Sequence, residues 1–118
     1  MMQSNAILFG WNVPVVGRES MAGELFAQTV SYFEKSKSSG NLDTYETVFI
    51  GAHGGDLNGF FLLKGTHAQL ETLRSSDEFV DIVVRAGLCL TNVGVIDSYT
   101  GNTVHEMMAR WMKAIPTR

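Results

Sequence analysis

A chain of 118 residues with 45% hydrophobic and 18% charged side chains is one domain's worth of sequence, residues 1–118, and excludes a disordered or collagen-like polypeptide. Nine Lys and Arg against twelve Asp and Glu leave a net charge of −3, which argues against nucleic-acid binding, because nucleic-acid binders carry a basic excess or stripe. One cysteine excludes an internal disulfide and fits a reducing compartment.

Asn5 opens a run rich in Ile, Phe, Trp and Val that predicts a first strand over 5–16. Pro14 cannot donate a ladder hydrogen bond, so pairing should weaken there. A first helix is predicted over 19–38, with Ala22, Leu25, Phe26, Val30 and Phe33 at helical spacing and Gly40 as its stop. A second strand over 44–53 and a third over 60–63 flank the turn-like Gly54-Gly55-Asp56-Leu57-Asn58-Gly59 and form a hairpin. Thr66 with Gln69, then Ser75 with Glu78, give two capping-box patterns. They predict one kinked helix or two short ones, ending at Gly87. A fourth strand is expected over 88–99, with Cys89 buried at its start. Thr103 with Glu106 marks a last helix, whose apolar positions are Val104, Met107, Met108, Trp111, Met112 and Ile115, closed by Pro116.

The order β-α-β-β-α-β plus a C-terminal helix predicts an α+β, ferredoxin-like arrangement. Right-handed crossovers place strands one and three at the centre of the sheet. Helices should cover one sheet face, yet both faces of the central strands are apolar. Ile7, Phe9 and Trp11 alternate with Ala6 and Leu8, and Phe60 and Leu62 alternate with Phe61 and Leu63. The charged fraction, below the ~25% usual for soluble domains, fits such extra burial. A second sheet packed face to face in a homodimer would cover the free face, and the last helix folded over it is the alternative.

In this order and pattern, over 6–100, the sequence resembles the dimeric α/β-barrel proteins, in which two ferredoxin-like sheets form one barrel. It also looks like their small YciI-related members in Gly59-Phe60-Phe61-Leu62-Leu63-Lys64-Gly65 and the stretch from Leu73 to Phe79. The resemblance implies a homodimer through the sheet face. It permits catalysis without choosing a reaction, since the superfamily includes monooxygenases, isomerases and haem enzymes. Those small members often carry a His early in the first helix. The helix over 19–38 has none, so no residue is carried over.

The topology should gather Trp11, Asn12, Arg18, Glu19, His53, Asp56 and Asn58 at one end of the sheet, beside a sheet–helix crevice. His53 is the candidate acid/base, because its ordinary pKa lies near neutrality, with Asp56 to orient it. Trp11, Asn12, Arg18, Glu19 and Asn58 are candidates for holding a small apolar or aromatic molecule. Each also has a plain structural reading: Asp56 as a turn residue, His53 as a strand end, Arg18 and Glu19 as a helix-start pair. No cofactor is implied. No metal site is expected either, since His53, His67 and His105 stand at no i,i+4 spacing. The competing reading is a non-catalytic regulatory or stress-linked module whose crevice is filled by Phe, Leu and Met. The N-terminus lacks the positive region of a signal peptide and no apolar run approaches ~20 residues. A cytoplasmic protein without membrane contact is therefore expected.

Overall fold

Strand β1 (Ala6–Trp11) alternates two apolar faces, and the chain builds outward from it. The computed structural model describes residues 2–117. Helix α1 (Glu19–Ser38) follows, then β2 (Thr44–Phe49), β3 (Gly59–Lys64), α2 (His67–Ser75), α3 (Asp77–Cys89), β4 (Gly94–Ser98) and α4 (Asn102–Ala114). The four strands form one antiparallel sheet in the order β2-β3-β1-β4. Strands β1 and β3 are central, as the crossover argument requires, and the α+β arrangement is compatible with a ferredoxin-like fold. No helix among the described residues is long and apolar enough to cross a membrane.

One sheet face carries Ile7, Phe9, Phe61 and Leu63, all nearly inaccessible, and the α1–α3 layer closes over them through Leu25, Phe33, Phe79, Ile82 and Ala86. Ring-on-ring contacts run through this layer; Phe33 meets Phe61 edge-on at 5.0 Å between centroids. Buried polar residues on α1 were invisible to an apolar-spacing argument. Thr29 and Ser36 are buried because their hydroxyls donate to the carbonyls of Leu25 and Tyr32 one turn back. The Tyr32 and Ser76 hydroxyls share a 2.6 Å hydrogen bond.

Strand and helix ends depart from expectation in instructive ways. Regular pairing of β1 stops at Trp11, and beyond it Pro14 makes only an isolated bridge to Leu90, as a residue without an N–H should. Strand β2 stops at Phe49, so His53 stands in the loop to β3 rather than at a strand end. The helical stretch after β3 is two helices. The first has the full Thr66–Gln69 capping box. The second is capped by Ser76, whose side chain accepts from the Phe79 N–H, and not by Ser75. Gly87 does not end α3. Ile82, Ala86 and Cys89 continue its buried stripe, and the helix stops at the extended Leu90. Cys89 thus closes a helix instead of opening a strand. Its thiol is pushed up by burial, with Arg18 and Arg85 pulling the other way. Helix α4 has no side-chain cap; the Thr103 hydroxyl serves Asn5 and Thr100 instead.

Leu8, Val48, Phe60, Leu62 and Ile96 alternate to the opposite sheet face, and none belongs to the core cluster. The second apolar face read in the sequence is therefore present and is not packed into this chain's core.

Candidate functional site

At the end of the sheet where β1 stops, the α1 layer does not close completely. A cavity of about 280 Å³ remains between sheet and helix. Its floor is the sheet: Phe9 and Trp11 from β1, Phe61 from β3, Phe49 from β2. Its roof is the first half of α1, with Ala22, Gly23, Leu25, Phe26 and Thr29, while Pro14, Ala86 and Leu90 close the side. The rings meet in edge and tilted contacts: Trp11 lies 5.4 Å from Phe61 and 6.4 Å from Phe49, and Phe26 stacks on Phe61 at 5.4 Å.

Gly59 makes this wall possible. It pairs with Trp11 on one side and Phe49 on the other. A Cβ there would sit 2.7 Å from Trp11 Cζ2 and 3.2 Å from Phe49 Cδ1. Only hydrogen lets both rings close over the strand.

The polarity of the lining is low. Glu19 is its single charged side chain, and its Oε1 accepts from the Gly17 N–H at 2.8 Å. The Thr29 hydroxyl is spent on Leu25 O. A guest would meet a mixed aromatic and aliphatic wall, with one carboxylate at the rim as an acceptor.

Of the residues expected to gather here, Trp11 and Glu19 line the cavity and the other five do not. Asn12 and Asn58 bond each other, Asn58 Nδ2 donating to Asn12 Oδ1 at 2.5 Å. The Arg18 guanidinium donates to Leu88 O at the end of α3. His53 folds back on its own loop: Nδ1 donates to Gly51 O at 3.0 Å, and Nε2 lies against Gly55, 2.5 Å from where a Cβ would be. No hydrogen bond or ion pair joins His53 to Asp56 among the described residues. Nor do three His, Cys, Asp or Glu side chains gather there as a metal site would need.

Sequence reasoning missed most of the lining, because rings that line a cavity look like rings that fill a core. One signal was present. Gly23 sits in the second turn of a 20-residue helix, where glycine costs about 1 kcal/mol relative to alanine. Nothing lies within 4 Å of its missing Cβ, so close packing does not require it, and it faces the cavity mouth.

No family model matches this chain, and no curated protein matches it. Among solved structures, the chain is similar to the crystal structure of PA3566 from Pseudomonas aeruginosa, with a TM-score of 0.55 and 19% sequence identity over 86% of this chain and 98% of that one. The likeness is one of fold.

Proposed function

We propose that this protein binds a small, flat, apolar or aromatic molecule in the cavity between α1 and the sheet, as a homodimer joined through the uncovered sheet face. The observation that carries the binding reading is the cavity itself: open, walled by Phe9, Trp11, Phe26, Phe49 and Phe61, and nearly free of polar groups. Cavities of ~150 Å³ with apolar walls accept benzene, so about 280 Å³ suits a fused two-ring ligand. The Glu19 carboxylate at the rim favours a ligand with a hydroxyl or amine at one end. An open crevice also weighs against the module reading, in which Phe, Leu and Met would fill it. The homodimer reading is supported by the apolar row Leu8, Phe60, Leu62 and Ile96 outside the core. The reading assigns no proton-transfer step to His53 and Asp56, which stand outside the cavity.

Titration with 2-naphthol, followed by amide chemical shifts, tests the cavity. Saturable shifts at Gly23, Phe26 and Phe61 are expected, with a dissociation constant unchanged within twofold in His53→Ala. Absence of shifts, or shifts confined to Leu8, Phe60 and Leu62, would overturn the binding reading, and loss of affinity in His53→Ala would restore that histidine to the site. Sedimentation at micromolar concentration tests assembly, and a single 13.0 kDa species would overturn the dimer.

A further inference from the structure

Helix α4 is apolar on one side and buried on none. Val104, Met107, Met108, Trp111, Met112 and Ile115 recur at i, i+3, i+4, i+7, i+8 and i+11, the stripe of a helix that packs on something. Each is between 38% and 59% exposed, no residue of α4 is buried, and none joins the core. An isolated helix of 13 residues is marginal in water. The chain is correspondingly drawn out: its radius of gyration is 16.2 Å and its long axis 57 Å, against roughly 13.5 Å for the radius of a compact chain of this length.

The root of this helix is nonetheless firmly held. The Asn5 side chain donates to Thr100 O at 3.0 Å and accepts from the Thr100 N–H at 2.9 Å and the Thr103 hydroxyl at 3.1 Å. The residue just before β1 thus fixes where α4 leaves the sheet, and among the described residues the rest of the helix is buried against nothing.

We infer that α4 is an exchanged arm, whose apolar stripe docks on a second copy of this chain. This rests on the homodimer reading and extends it to a second contact. Interface area identifies the occupant. Four strands ~4.8 Å apart, each about six residues at ~3.3 Å, give a sheet face of ~400 Å². A stable dimer needs about 800 Å² from each partner. Sheet on sheet therefore supplies about half. A helix ~20 Å long and ~10 Å wide adds ~200 Å² from its own stripe and as much again where the partner's arm lands. Two reciprocal arms bring the interface to the usual size.

The test is an isotope-filtered NOE experiment on a one-to-one mixture of labelled and unlabelled full-length chains, with sedimentation equilibrium of wild type, Met108→Lys, Trp111→Lys and Phe60→Lys. Methyl contacts from Met107, Met108 and Met112 to the other chain are expected. The dimer dissociation constant should rise at least tenfold in each α4 variant. A wild-type dimer with only intrachain α4 contacts, or one equally tight in the α4 variants and weakened only by Phe60→Lys, would overturn the arm and leave the sheet dimer standing. A monomeric wild type would overturn both. Phosphatidylglycerol vesicles form the control arm: a chain that binds them through α4 as a monomer would replace the second copy with a membrane surface and overturn the inference.

Discussion

Asn12 and Asn58, 46 positions apart, hold each other across the end of the sheet, Asn58 Nδ2 donating to Asn12 Oδ1. The same Asn58 gives its backbone N–H to Trp11 O at 2.9 Å. Together the two bonds pin the residue whose ring makes the cavity's end wall. The asparagines thus act on the cavity through Trp11 and the long loop before β3. Replacing Asn58→Ala removes the side-chain bond and leaves the backbone one. It should cost about 1 kcal/mol and speed amide exchange across residues 50–58. Exchange in that loop unchanged from wild type would show that the pair does not order it.

Gly59 carries a sharper constraint. Gly59→Ala drives a methyl group into the Trp11 and Phe49 rings and should destabilise the fold by about 1–3 kcal/mol, the cost of overpacking a filled site. Urea denaturation measures this directly. A neutral result would mean that the two rings can part freely.

At Gly23 the sign reverses. Its backbone is helical and the space beside it is empty, so Gly23→Ala should raise stability by about 1 kcal/mol. The larger Gly23→Leu should keep the fold and lower affinity for 2-naphthol, because its side chain stands at the mouth. Stability gained without any loss of binding in the leucine variant would place the ligand's path elsewhere.

Tyr45 gives a pH dependence. Burial, followed by its hydrogen bond to Glu34 and that carboxylate's charge, pushes its phenol from 10.0 up to about 12. The folded chain therefore keeps this proton to higher pH than the unfolded chain does. The associated stability is complete below pH ~10 and is lost as pH rises from there through about 12. Absorbance at 295 nm should show one phenol titrating near the upper value. Glu34→Gln should move it only part of the way back, since burial is the larger cause. Full return to the ordinary value would assign the shift to Glu34 alone.

Where local chemistry sets a boundary, the sequence was a good guide. Helix α1 spans the predicted residues, and Thr66 with Gln69 makes the reciprocal cap that their spacing implies. The sheet order followed from element order and crossover hand. Boundaries decided by tertiary packing were harder to read. Gly87 looks like a stop, but Ile82, Ala86 and Cys89 extend one buried stripe past it. The candidate site was only partly legible, for a related reason. Polar residues near the end of the sheet look available in a linear sequence. In three dimensions Asn12 is taken by Asn58, Arg18 by the Leu88 carbonyl and His53 by the Gly51 carbonyl. The cavity is walled instead by rings from separate elements, and no local pattern separates lining from filling.

The two tryptophans stand in opposite surroundings. Trp11 is enclosed by Phe9, Phe26, Phe49 and Phe61, while Trp111 is 59% exposed on α4. One emission spectrum therefore contains two reporters. A water-soluble quencher such as iodide should extinguish the Trp111 signal first and leave a bluer residue from Trp11. Occupancy of the crevice and the state of the C-terminal helix can then be followed in the same cuvette, with no label added.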